Sequence, residues 1–194
     1  VEVGLDDGST LVLDGGTGIR ALGRGRPFTP GAPIHILLSH LHLDHVEGIG
    51  FFLPLYDPAS EIHIYGPLVP GEPLAGRLGA LFSGPFFPIG LSETPARVMF
   101  HDLGEETRAI GSAIVSSAPV RHVGPTIGYR IDQAGRSLVY LPDHEPVLDG
   151  RLAPGPAAAL AAGASLLLHD AQYTSDEYER HVGWGHSSVD HAVE

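Results

Sequence analysis

Ile34-His35-Ile36-Leu37-Leu38-Ser39-His40-Leu41-His42-Leu43-Asp44-His45-Val46-Glu47-Gly48 is the stretch from which the rest of the chain is read. Ile34 to Leu38 is an apolar β-type run, and it stops abruptly at His40, His42, Asp44 and His45. In extended backbone, residues two apart share a face, so His40 and His42 point to one spot. A helix opening at Asp44 aims that aspartate and His45 at a second spot beside the first. Imidazole and carboxylate are the donors that Zn²⁺ and other borderline divalent cations prefer. Four such side chains so close together favour a metal site over a polar loop with incidental histidines.

The whole chain narrows the classes. Its 194 residues suffice for one domain, 1–194, with a real core. Apolar residues make up 43% and aromatics only 7%, so the core is expected to be aliphatic. The 26 glycines and 17 prolines suit short strands and turns better than long helices. Cysteine is absent, which excludes disulfides and thiolate metal sites and leaves His, Asp and Glu as ligands. The formal charge is −12, and the 11 basic residues are all arginine, with no basic run. Such a chain is poorly suited to gripping long nucleic acid, whose affinity rests on cationic contacts to phosphates. No apolar run of membrane length and no leader pattern occurs, so no membrane is expected and a cytoplasmic location is the default.

Along the chain, Val1 to Val3 and Thr10 to Leu13 read as strands, and Asp14-Gly15-Gly16-Thr17-Gly18 as a tight turn after them. Gly23 to Pro33 reads as a loop. Phe51 to Tyr56 is core or lines a substrate mouth. Strands are expected at Glu61 to Tyr65, Arg97 to His101, Ala113 to Val120, Thr126 to Asp132 and Ser137 to Leu141, with a buried strand at Ser165 to Leu168. Helices are expected at Gly71 to Phe82, at Pro156 to Ala162, and at Ser175 to Arg180 behind a serine cap. Val1 opens inside a strand and Glu194 falls in an incipient helix.

The His-x-His-x-Asp-His pattern of His40 to His45 resembles the metallo-β-lactamase fold superfamily. The resemblance implies an α/β fold, the four-layer αββα sandwich, truncated at both ends, with a two-metal hydrolytic site at one edge of the sheets. It also implies the remaining ligands. His122, past the strand ending at Val120, completes a set with His40 and His42. Asp143, past Leu141, bridges two cations. His186, in Gly185-His186-Ser187-Ser188, joins Asp44 and His45 on the second metal. Taken singly, His122 or His186 reads equally well as a structural histidine. Asp14 matches an Asp-x-Gly-x-Gly segment whose aspartate orients a metal-binding loop, although alone it is also a plain Asp-Gly turn.

Leu168-His169-Asp170-Ala171 resembles the His-Glu-Ala-Thr segment of the ribonuclease Z family, with Asp170 in place of the glutamate. By that resemblance His169 protonates the leaving oxygen and Asp170 supports it. The family's long tRNA-binding arm between the third histidine and the bridging aspartate is replaced here by a single hairpin. The chain therefore looks like the short, phosphodiesterase-like branch, which acts on small or cyclic phosphodiesters. Two Zn²⁺ or Mn²⁺ ions about 3.5–4 Å apart lower the pKa of a shared water and supply hydroxide, which Asp44 orients. The branch also allows a homodimer. A thioester or lactam hydrolase of the same fold shares every ligand but needs no acid of the His169 kind. Tyr173 and Trp184 either line the pocket or pack. His35, His63, His101, His144, His181 and His191 are left as structural or solvent histidines.

Overall fold

A computed structural model describes residues 1–25, 27–146 and 155–193. Glu194, and with it that end of the expected C-terminal helix, lies outside the described residues, as does Arg26 of the Gly23 to Pro33 loop. The chain divides into two compact units, Val1–Leu103 and Gly104–Glu194. Each carries one five-stranded sheet with helices, so the chain is mixed α/β as expected. No helix among the described residues is long and apolar enough to cross a membrane.

In the first unit the sheet order is β1 (Glu2–Gly4), β2 (Thr10–Leu13), β3 (Ile34–Leu37), β4 (Glu61–Pro67) and β5 (Arg97–Leu103). β1 runs antiparallel to β2, and the other neighbours are parallel. β2 and β3 are buried along their whole lengths, which is why both are mostly apolar, with only Thr10 and His35 as polar members. Ile34, Ile36, Ile62 and Ile64 pack with Val46, Ile49, Phe52, Leu74 and Leu78. These come from α2 (Leu43–Val46), the turns after it, and α3 (Leu74–Leu81).

The glycine-rich turn after β2 is followed by a helix that the sequence reading did not anticipate, α1 (Gly18–Gly25), anchored by buried Ile19. The segment after α2 divides residue by residue: Phe52 and Leu55 are core, while Phe51, Leu53 and Tyr56 are exposed. His101, expected at a strand end on the surface, lies inside β5. It pairs with Tyr65, stacks on its ring, and is hydrogen-bonded to His63.

In the second unit the order is β10 (Leu166–His169), β9 (Arg136–Leu141), β8 (Ile127–Gln133), β7 (Ala113–Pro119) and β6 (Glu106–Ile110). β9 and β10 are parallel and the rest antiparallel. β6 was not foreseen, because Glu106-Thr107-Arg108 shows no apolar alternation; a charged sequence of this kind suits an edge strand. β10 was expected to be buried. It is instead the other edge, with Leu166 and Leu167 exposed, because among the described residues β9 alone flanks it. α4 (Pro156–Ala161) covers Ala118, Val139 and Leu141. The helix at Ser175 is α5 (Ser175–Tyr178), and α6 (Val189–Val193) follows. The cap of α5 is Thr174 rather than Ser175, since Thr174 and Glu177 form a reciprocal capping box.

Both sheets end their parallel strands in the same way. Asp14 N–H donates to Leu37 O at 2.9 Å, carrying the β2–β3 ladder one step past its strands. Asp170 N–H does the same to Leu141 O at 2.8 Å past β9 and β10. A carboxylate thus leaves each sheet at the carboxyl end of a parallel pair, where open α/β sheets place their ligands.

Close backbone approach fixes the turn after β2. Gly15 N–H donates to His45 O at 2.7 Å, and Gly48 N–H donates to Gly15 O at 2.9 Å. A methyl group at Gly48 would overlap the Gly16 carbonyl. The φ of −78° at Gly48 is one that any residue adopts, so the clash alone opposes substitution. Gly48→Ala is therefore expected to cost about 1–3 kcal/mol, the usual range for overpacking. Thermal or urea unfolding reads this directly, and an unchanged midpoint would contradict the packing described.

Candidate metal centre

In the first unit the site starts from Asp14. Its φ of 58° puts a non-glycine residue in the left-handed region, a conformation aspartate tolerates better than most. The carboxylate is 8% exposed. Oδ1 accepts from Ser39 N–H at 2.7 Å, and Oδ2 accepts from Ser39 Oγ–H at 2.9 Å and from His45 Nδ1–H at 2.7 Å. Because Ser39 Oγ spends its proton on Asp14, it accepts from His40 Nδ1–H at 3.0 Å. One buried carboxylate thereby sets the tautomer of two histidines, and both present Nε2 as the lone-pair nitrogen. His40 Nε2 lies 2.9 Å from His42 Nδ1, and His45 Nε2 lies 3.4 Å from Asp44 Oδ2. Asp44 itself is largely exposed, at 76% of its side chain.

The second unit repeats the device with different parts. His122 follows β7, Asp143 follows β9, and Asp170 follows β10. His122 Nδ1–H donates to Gly185 O at 2.7 Å, so its Nε2 is the lone-pair nitrogen, and that atom lies 3.4 Å from Asp143 Oδ2. His186 Nδ1–H donates to Asp170 Oδ2 at 2.7 Å, which again leaves Nε2 as the donor for a ligand. Donor atoms of Asp143, Asp170 and His186 lie within 4.8 Å of one another. Asp170 is buried, and its oxygens already accept from His186, His144 N–H and Gln172 N–H. Those bonds make it a support for His186 rather than a ligand.

These donors fit a divalent cation on chemical grounds. In both the His45–Asp44 and His122–Asp143 pairs, an imidazole Nε2 faces a carboxylate oxygen at 3.4 Å. A divalent cation seated between such a nitrogen and oxygen would be held by both.

Two residues here carry more than the sequence reading gave them. His144, left as a structural or solvent histidine, has Nδ1 3.2 Å from His169 Nε2. His169 Nδ1–H donates to Asp170 O at 2.6 Å, which fixes Nε2 as its reactive nitrogen. Burial, and then the nearby His169, push the His144 imidazole down to about 4, so it is neutral at neutral pH. The only sequence signal was its place directly after Asp143.

The second is Glu145, which is 1% exposed. Its oxygens accept from Gly183 N–H at 2.6 Å, Gly185 N–H at 3.0 Å and Tyr178 O–H at 3.0 Å. Burial alone would raise its pKa, but these donors and the nearby Arg121 outweigh that and hold it below the ordinary glutamate value. Burial, with the bond to Glu145, pushes the Tyr178 hydroxyl up to about 12. Glu145 thus ties the loop bearing His186 to the loop bearing Asp143.

Outer hydrogen bonds of the Asp14 kind usually matter to metal affinity by about 10–100-fold. Asp14→Asn keeps the shape but removes the anionic acceptor for His45 Nδ1–H. The variant is expected to bind zinc weaker by about that factor in a chelator competition while remaining folded. Unchanged affinity would show that Asp14 is only a turn residue.

A family model described as Beta-lactamase superfamily domain matches residues 10–194. Ribonuclease Z of Mycobacterium sp. (strain KMS) is 28% identical over 206 residues, covering 96% of this chain and 69% of that protein. Among solved structures, human tRNase Z, short form, superposes with a TM-score of 0.73 at 20% identity, covering 99% of this chain and 78% of that one. A diphosphatase from the PhnP family gives a TM-score of 0.66 at 22% identity, over 96% of this chain and 63% of that one.

Proposed function

We propose, from the premise that this chain belongs to the beta-lactamase superfamily and is a hydrolase of its ribonuclease Z-like branch, that it cleaves a small or cyclic phosphodiester with two divalent metals. His40, His42, Asp44, His45, His122, Asp143 and His186 are the ligands in this reading. Zn²⁺ or Mn²⁺ suits this oxygen and nitrogen set. When bound, the two cations supply an activated water and neutralise charge on the phosphoryl oxygens.

The observation that carries the small-substrate reading is the join between β8 and β9. Gln133 pairs with Arg136, so only Ala134 and Gly135 form the turn, both at positive φ (50° and 72°). That is the tightest hairpin geometry available, and it offers no arm to hold a long RNA. An acidic chain with 11 arginines adds no cationic track in its place.

The protein's own residues do the remaining work. Asp44, mostly exposed, accepts a hydrogen bond from the attacking water and orients it. His169 carries the proton for the leaving alkoxide on Nε2, because Nδ1 is committed to the Asp170 carbonyl. Neutral His144, 3.2 Å away, shares that proton and keeps the ring in place.

A general acid matters in proportion to the basicity of the leaving oxygen, and typically contributes 10²–10⁴-fold. His169→Ala is expected to slow a ribose-type diester by roughly that factor and a nitrophenyl diester far less. Metal content should not change. Equal losses on both substrates would remove His169 from the acid role, and loss of metal would move it among the ligands.

A further inference from the structure

We propose that Trp184 is the platform on which a nucleobase of the substrate stacks; this rests on the phosphodiesterase reading above and names its substrate class. Trp184 is the sole tryptophan of the chain, it lies two residues before His186, and it is 62% exposed. Large apolar side chains left in water on a mobile loop need no explanation, but this loop is fixed. Gly183 and Gly185, on either side, both have positive φ and both donate their N–H to the buried Glu145 carboxylate, at 2.6 and 3.0 Å. Trp184 N–H donates to His181 O at 3.0 Å, and Gly185 O receives His122 Nδ1–H at 2.7 Å.

The indole is braced from the side. The His181 ring meets it edge to face, with centroids 4.8 Å apart, and itself stacks on Tyr173 at 4.6 Å. His181 Nδ1–H is held by Glu177 O at 2.7 Å. A rigid aromatic row therefore ends in an open indole, on the same short loop that orients His122 and carries His186. An exposed apolar ring held in one place, two residues along the loop from His186, has the character of a binding surface.

The partner follows from chemistry. A chain of formal charge −12 gains little by gripping phosphate through charge alone. Stacking of a base on an aromatic face is insensitive to net charge and tolerant of base identity. A nucleoside moiety presents such a face at one end and the phosphodiester at the other.

The sole tryptophan makes the test direct. The zinc-loaded full chain is titrated with adenosine 5′-monophosphate and with ribose 5-phosphate, which carries a hydroxyl where the nucleotide carries its base. Trp184 emission is excited at the red edge, where the nucleotide is transparent, and calorimetry supplies both affinities. The expected result is quenching by the nucleotide alone and a preference for it of about tenfold or more. Trp184→Ala should abolish that preference, and Trp184→Phe should restore most of it. Equal affinities in the wild type, no binding of the nucleotide, or a preference that survives Trp184→Ala would each overturn the proposal. The two readings fail separately. Ring-dependent binding without turnover of any diester would sink the phosphodiesterase reading alone. Turnover without ring preference would sink this one alone.

Discussion

A carboxylate taken out of water has to be given donors, and in this chain those donors are the parts of the site itself. Asp14, Asp170 and Glu145 are all buried. An unpaired charge at any of these positions would cost several kcal/mol, so the surrounding loops are obliged to turn N–H groups inward. Ser39 N–H answers Asp14, His144 N–H and Gln172 N–H answer Asp170, and Gly183 N–H and Gly185 N–H answer Glu145. The histidine Nδ1–H groups complete the shells of Asp14 and Asp170. Satisfying the buried charge and fixing the tautomers of these histidines are one event.

The two units reach this condition by the same construction from unrelated sequences. In each, a parallel ladder runs one residue past its strands into an aspartate, Asp14 in one and Asp170 in the other. Each uses that residue to hold a histidine by Nδ1, His45 in one unit and His186 in the other, at 2.7 Å in both. The first unit sets a second histidine through Ser39 Oγ, the second through a backbone carbonyl. Strand register therefore governs the chemistry: a slip of one residue would turn either carboxylate to the wrong face.

Much of this was legible in the sequence. The passage from a mostly apolar strand to alternating histidines and then a short helix appears as read, because periodicity changes at Ser39 and few backbones satisfy both halves. The mixed α/β class followed from the resemblance carried by His40 to His45, and the glycine and proline content agreed with short strands. What escaped were features that depend on neighbours in space. β6 lacks alternation because it is a charged edge, and β10 looked buried because three leucines do not reveal how many strands flank them. Glu145 and His144 looked incidental because their partners, Gly183, Gly185 and His169, lie 25 or more residues away. Thr174 was missed although its Glu177 partner stands three residues on, a pattern that sequence alone can give.

The proposal that rests on these bonds is that the histidines set by buried carboxylates hold two divalent metals per chain. Its most direct measurement is the zinc stoichiometry of the full chain after gentle dialysis, taken alongside Asp143→Ala. Two equivalents per chain, with both weakened by the single Asp143 substitution, is the predicted result. One equivalent or less in the intact protein, or loss of only one of two metals in the variant, would contradict it.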